Sequence, residues 1–497
     1  MNKRKRALLA LAAAMALLLI IGGSLLLLPK PQTLNPKPDL TPHNPLNVVL
    51  IILDALRADR VFASRNGIPL MPNLAEFSKR CVQFTHANTP CTWTRPAMAS
   101  ILTSLYVDTH QVYYGPDPQR PNDNTSDALP KSFENMATYL KRAGYATAVV
   151  QTNGNLVRDL GFGEGFDEYE YLPDETADKV TPCALRHLEG LRDPFFLYLH
   201  YMDPHLPYTP PERFRKLFGW PPPIDDSELA IVNDFMGYVF DHDEYKVGNK
   251  PSPSYKPLSP AAEEAVRTLY DAEARSLDEE LGKFLDALLQ RKPNTLIVIT
   301  ADHGEHLWDH DYLGHGLTMY EAELRVPFFI YLPDGKPQTI DTDVNTVNIL
   351  PTISECLGLP ANPAWQGRSL FSTEAAGKAQ PIFSHTLGPW RSYNIEYEAV
   401  KVGRFKLIVN RKKEHNELYD MVDDSEETND LSAQRSDAVR AMLALLVEHR
   451  NQNARARGNV QKESVKLSPE LMKQLQDLGY GRSASGMPTS RPVAPTP

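Results

Sequence analysis

The chain has 497 residues, 42% of them hydrophobic, and a formal net charge of -10 from 52 basic and 62 acidic side chains. This composition excludes a disordered or fibrous protein and leaves room for one large domain and a smaller one. The acidic balance argues against a nucleic-acid partner, since nothing in it neutralises a phosphate backbone. Cys81, Cys91, Cys183 and Cys356 lack metal-ligand spacing and are too few to staple a domain of this size. They read either as buried thiols or as one Cys81–Cys91 disulfide with two thiols beside it.

At the amino terminus Lys3, Arg4, Lys5 and Arg6 precede an apolar run from Ala7 to Leu28. About 20 apolar residues span a bilayer, whereas a cleaved signal carries only about 7 to 15. Residues 1–28 are therefore predicted to be an uncleaved membrane anchor, with the basic cluster cytoplasmic and all that follows periplasmic or extracellular. Residues 29–46 contain Pro29, Pro31, Pro36, Pro38, Pro42 and Pro45 and read as an extended tether.

Asn47 to Leu53 is a continuous aliphatic run, the pattern of a strand buried on both faces of a parallel sheet. Ala146 to Val150, Phe195 to His200, Thr295 to Thr300 and Val326 to Leu332 repeat it, separated by helical patterns such as Ser132 to Ala143 and Ala261 to Leu289. Alternating strands and helices predict an α/β fold for residues 47–379. From residue 380 the texture changes: Glu396 to Val409 reads as two short strands and Arg435 to Asn451 as an amphipathic helix. Leu467 to Tyr480 reads as a last ordered element closed by Gly481, so residues 380–482 form a predicted smaller domain and 483–497 a loose tail.

The chemistry-bearing residues fall at the ends of these elements. Asp54 follows the first strand, where α/β sheets place their ligands; it is suited to hold a cation or to cap a helix. Thr94 lies where a helix begins, with Pro96 in the first turn. The amides of such a terminus attract phosphate or sulfate, and a hydroxyl there beside a cation becomes a nucleophile; the plainer reading is a helix cap. His200 to Tyr208, which includes His205, and Gly314-His315-Gly316 supply proton donors or anion contacts. Asp302-His303-Gly304-Glu305 ends another strand, and Asp54, Asp302 and His303 together make a mixed oxygen and nitrogen site. That donor set favours Zn²⁺ or Mn²⁺ over Ca²⁺.

In this order the motifs resemble the sulfatase family of the alkaline phosphatase superfamily, over about Asn47 to Tyr480. Carrying the resemblance with Asp54, Thr94 and Asp302-His303-Gly304-Glu305 are Leu102-Thr103, His110 and Asp203-Pro204-His205-Leu206-Pro207-Tyr208. Weaker pieces are Ala143-Gly144-Tyr145, Gly161-Phe162, Gly165-Phe166-Asp167 and Glu417-Leu418-Tyr419-Asp420. The resemblance implies a large mixed sheet sandwiched by helices, a smaller α+β domain, one divalent metal ion (Zn, Mn or Ca) and a sulfate or phosphate ester substrate.

Departures from the family pattern bear on the nucleophile. Sulfatases carry a cysteine, converted to formylglycine, at the head of a Cys-x-Pro-x-Arg signature. Ungapped alignment through Leu102-Thr103 to His110 puts Thr94 at that cysteine, Pro96 on the proline and Met98 on the arginine. In the competing register Cys91 is the nucleophile, with Arg95 four residues on and Trp93 in the proline's place. Ala55 replaces a second metal-binding Asp, the usual lysine and histidine are missing around Thr152-Asn153, and His315 stands in for another lysine. The expectation is that Thr94, beside a cation held by Asp54, Asp302, His303 and the Thr94 oxygen itself, attacks phosphorus or sulfur. His205 or His315 then protonates the leaving oxygen, and water or an acceptor alcohol releases the adduct. Arg57 and Arg95 are read either as anion clamps or as salt-bridge residues. An unmodified hydroxyl needs water to break its adduct, whereas formylglycine expels sulfate by collapse, which tilts the substrate towards phosphoesters. The other readings are a formylglycine sulfatase using Cys91 and a non-catalytic binding protein.

Overall fold

The computed structural model describes residues 45–117, 124–246, 248, 255–372 and 380–477. The predicted anchor, nearly all of the linker and the predicted tail lie outside the described residues.

Nine strands form one sheet: β1 (Asn47–Leu53), β2 (Val82–Asn88), β3 (Ala146–Gln151), β4 (Glu168–Tyr171), β5 (Phe195–Tyr201), β6 (Thr295–Thr300), β7 (Arg325–Val326), β8 (Phe328–Tyr331) and β9 (Gln338–Asn345). The order across it is β9, β2, β7 with β8, β6, β1, β5, β3, β4. β7 and β8 run antiparallel to β2, β8 also to β6, and the other pairings are parallel. Every residue of β1, β3, β5 and β6 is buried, which is why these central strands read as unbroken apolar runs. The predicted strand Val326 to Leu332 is instead two short strands interrupted at Pro327, a residue with no amide to give the ladder.

The helices that cover the sheet bury apolar residues against it. α1 (Thr94–Thr103) is buried along its whole length. α2 (Ala177–Gly190) contributes Val180, Ala184 and Leu188 to the core, and α3 (Pro260–Arg291) contributes Leu277, Leu281, Phe284 and Leu288. At 32 residues α3 is about 48 Å long, begun by the Ser259 side chain accepting from the Ala262 amide and by Pro260 in the first turn. Fully burying each such Leu or Phe contributes roughly 1.5–3 kcal/mol. The helix predicted over Ser132 to Ala143 starts later, at Met136, because Asn135 caps it by accepting from Thr138 N.

A second, antiparallel sheet joins β10 (Ile382–Thr386), β11 (Tyr397–Val402), β12 (Phe405–Asn410) and β13 (His415–Asp420) in chain order. Val400, Leu407 and Leu418 pack there against Val439, Met442 and Leu446 of α4 (Ser436–Arg457). Beyond α4 the chain returns to the large sheet's unit. Glu463–Lys466 pairs antiparallel with Thr125–Ala128, and Leu467, Leu471 and Leu475 enter the main core. All four cysteines are buried thiols in no disulfide, so the Cys81–Cys91 disulfide does not form.

Candidate active site

The parallel strands deliver their carboxyl ends to one edge of the sheet, where the loops converge. β1 ends in Asp54, β6 in Asp302 and His303, β5 brings His200, and the turn after β3 brings Asn153. Ala55 turns the chain sharply with φ +58°, a left-handed conformation that a non-glycine residue adopts at a cost. Its amide donates to Asp302 Oδ1 at 3.2 Å, and Tyr270 of α3 braces the loop by donating to Ala55 O and accepting from Arg57 N. Ala55 thus meets the site through its backbone amide.

Asp54, Asp302, His200, His303, Thr94 and Asn153 are all fully buried. His200 Nε2 lies 2.8 Å and Asn153 Nδ2 2.7 Å from Asp54 Oδ2. Tyr198 sits 2.7 Å from His200 Nδ1, and burial keeps its phenol far above the ordinary range and protonated. The phenol therefore donates to Nδ1, leaving the His200 proton on Nε2 and aimed at Asp54. Both donors act on Oδ2, while Asp54 Oδ1 and Asp302 Oδ2 have no hydrogen-bond partner among the described residues. Burial pushes the Asp54 carboxyl up, but His205, His200 and His303 outweigh it and hold the group well below the usual carboxylate range.

His303 faces both orphaned oxygens. Its Nδ1 donates to Gly304 O at 2.8 Å, so Nε2 carries the lone pair; that atom lies 3.4 Å from Asp302 Oδ2, 3.7 Å from Asp54 Oδ1 and 3.2 Å from Thr94 Oγ1. Asn153 Nδ2 is 3.4 Å from the same hydroxyl. Two buried, unsatisfied carboxylate oxygens facing an imidazole lone pair fit a divalent cation. Asp54, His200 and Asp302 also have donor atoms within 4.8 Å of one another, but the hydrogen bonds make His200 the group that orients Asp54 rather than a ligand.

Thr94 is the first residue of α1, not its cap: Trp93 holds that position without a side-chain hydrogen bond to the first turn. The hydroxyl thus stands beside uncapped helix amides, an anion-attracting position. Cys91 is 1% exposed in the hydrophobic core, where burial pushes its thiol up to about 12.

Beyond His303 lie the other two histidines, the His315 ring centroid 4.3 Å from that of His303 and 4.8 Å from that of His205. His315 Nδ1 is 2.9 Å from Glu305 Oε1. Burial alone lowers the His315 value, but the adjacent Glu305 carboxylate raises it above the ordinary one. Burial lowers that of His205, whose Nδ1 donates to Leu206 O. Glu323 accepts from the Gly316 and Thr318 amides and so shapes the loop that presents His315. Gly304 sits where that segment presses on the strand end: a Cβ there would lie 2.0 Å from Ala322 O.

Sequence reasoning also pointed to residues the structure puts to other uses. Arg57 bonds to Asp309, Asp59 and Glu305 O, the salt-bridge role rather than the anion clamp. Arg95 donates to Tyr114 O, Ser126 Oγ and Asn155 Oδ1. His110 staples α1 through Ser100, and burial presses it down to about 3. Asp203 accepts from Ala177 N at the start of α2. Asn153, His200 as the partner of Asp54, Glu305 and Glu323 were not singled out; for His200 a signal existed, because it ends an apolar strand just as Asp54 does.

The sequence pattern of the family described as Sulfatase matches residues 46–359. The chain is 22% identical over 444 residues to the uncharacterized sulfatase YidJ of Escherichia coli, covering 76% of this chain and 83% of that one. It is 28% identical over 412 residues to PehA, a multifunctional alkaline phosphatase superfamily protein of Trinickia caryophylli (67% and 77% covered). Among solved structures, the phosphonate monoester hydrolase of Agrobacterium radiobacter superposes with a TM-score of 0.64 at 20% identity, over 82% of this chain and 96% of that one. BT4656, solved with its substrate D-glucosamine-2-N,6-O-disulfate, gives 0.65 at 20% identity (82% and 98% covered). From its family match, its mixed sheet and its smaller antiparallel sheet together, the chain belongs to the sulfatase family of ester hydrolases.

Proposed function

We propose that the protein is a metal-dependent phosphoester or phosphonate-ester hydrolase that uses Thr94, unmodified, as its nucleophile. The observation that carries this reading is the position of the Thr94 hydroxyl, 3.2 Å from His303 Nε2, the same atom that faces the open oxygens of Asp54 and Asp302.

One divalent cation, held by Asp54 Oδ1, Asp302 Oδ2, His303 Nε2 and Thr94 Oγ1, would offset the charge on a substrate oxygen and favour ionisation of the hydroxyl. Asn153 and His200 fix Asp54 so that one oxygen only faces the cluster. The first amides of α1 receive the anionic ester. Thr94 Oγ1, its proton lost to solvent, bonds to phosphorus as the bond to the leaving oxygen breaks, and the leaving oxygen takes its proton from His315, whose value the Glu305 carboxylate raises. Water, or an acceptor alcohol, then displaces Thr94 and releases the phosphoryl group.

The same reading places the enzyme outside the cytoplasm on the amino-terminal anchor, supported by Lys3 to Arg6 ahead of the apolar run to Leu28. No helix among the described residues is long and apolar enough to cross a membrane.

The test is to replace Thr94 by Ala and Cys91 by Ser separately, then assay aryl sulfate, aryl phosphate and phosphonate monoester hydrolysis. Thr94→Ala is expected to lower phosphoester hydrolysis by a factor on the order of 10³ or more, with Cys91→Ser near the wild-type rate. Loss confined to the Cys91 variant, with aryl sulfate preferred, would mean a formylglycine sulfatase instead.

A further inference from the structure

We propose that the chain carries a second metal site, of the zinc class, on the far edge of the large sheet, three strands from Asp54. It consists of Glu170 on β4 with Cys183 and His187 on α2, and Glu168 stands behind the histidine.

The placement follows from elementary periodicities. Cys183 and His187 are four apart and share one face of α2; Glu168 and Glu170 are two apart and share one face of β4. One donor atom from each of Glu170, Cys183 and His187 lies within 4.8 Å of the other two. The imidazole is oriented as a ligand: Nδ1 is 2.7 Å from Glu168 Oε2, and Nε2 points towards Glu170 Oε2 at 3.6 Å. A carboxylate on the outer nitrogen of a histidine fixes its tautomer and leaves the inner nitrogen for the metal. Arg186 Nη2 donates to Cys183 Sγ at 3.2 Å, the hydrogen bond that a metal-bound thiolate accepts.

Thiolate with imidazole selects zinc-like ions over magnesium or calcium, which separates this site from the oxygen-rich one at Asp54. Thiolate and Glu170 together neutralise a divalent ion, with water free to take the fourth position. Binding displaces the Cys183 thiol proton to solvent. Cys183 is 3% exposed while His187 and Glu170 reach the surface, so an ion has an entry path. Its effect would be to tie β4, an edge strand, to the helix beneath it.

The test uses full-length protein stripped by a chelator and titrated with Co²⁺ alone. The expected result is a near-ultraviolet thiolate-to-cobalt charge-transfer band that saturates by two equivalents in the wild type, by one equivalent in Asp302→Asn, and disappears in Cys183→Ser. Glu168→Gln should keep the band and weaken Co²⁺ binding about 10- to 100-fold. Absence of the band from the wild type, or its persistence in Cys183→Ser, overturns the proposal. Should Cys183→Ser fail to fold, His187→Gln replaces it at a less buried position, and an unchanged Co²⁺ affinity there is equally fatal.

Discussion

Asp54 shows how a single carboxylate acquires direction. Two donors bind one of its oxygens and none among the described residues binds the other, so the side chain presents a single open atom to the cluster. If His200 and Asn153 act in this way, His200→Gln and Asn153→Ala should each weaken metal binding about 10- to 100-fold, as losses behind a ligand do, with the fold retained. Equilibrium dialysis against Mn²⁺, which the thiolate site at Cys183 disfavours, measures this, and affinities equal to wild type would show that neither residue orients Asp54. Asp54, Thr94, Asp302 and His303 were legible because each ends or begins an element with a clear pattern. Asn153 was not, because an asparagine in a turn has an ordinary local reading, and only the sheet order brings β3 beside the site. For the two arginines the sequence left two readings, anion clamp or salt bridge, open. Asp59, two residues from Arg57, was in view, but Asp309 and Asn155, which decide between them, are 252 and 60 residues away.

Central strands were read nearly to the residue, since burial on both faces leaves no polar position to blur the pattern. β2, β4 and β9 were missed: each has partly exposed positions, and β9 carries polar residues along most of its length. α4 was foreseen as an amphipathic helix, but its docking was not. His449 on α4 stacks on Phe383 of β10 with ring centroids 3.9 Å apart, and burial presses its imidazole down to about 4 from 6.5. A histidine with a lowered folded value binds its proton more readily when unfolded. Stability should therefore fall as pH drops from about 6.5 towards 4, by about 2 to 3 kcal/mol from this group. His385 works in the other sense. Burial lowers its value but Asp108, 3.0 Å away, raises it further, so its contribution is full below the ordinary value and is lost as pH rises past the raised one. Replacing His449 by Phe keeps the stack and removes the titration. The difference in thermal midpoint between pH 7 and pH 5 should shrink in that variant, and an unchanged difference would show that His449 does not set it.

The chain as a whole is tied together by its last described helix, Pro469–Asp477, which follows the small sheet in sequence yet packs on the large one. A division by sequence position at residue 380 groups it with the small sheet, because composition reports where texture changes and not where a segment docks. Leu475 is fully buried and lies against Gly154, next to Asn153. Leu475→Ala should cost about 2–5 kcal/mol and lower the thermal midpoint, with a loss of hydrolysis beyond what unfolding explains because Asn153 loses its backing. A lower midpoint with full activity would separate the helix from the site. The central claim is that Thr94 forms the covalent bond to the substrate. Rapid acid quench of the full-length enzyme during turnover of an aryl phosphate, followed by mass spectrometry of its peptides, tests it most directly. A phosphoryl group is expected on the peptide that contains Thr94, located on that residue and absent from Thr94→Ala. A formylglycine at Cys91, or turnover with Thr94 never modified, would contradict it.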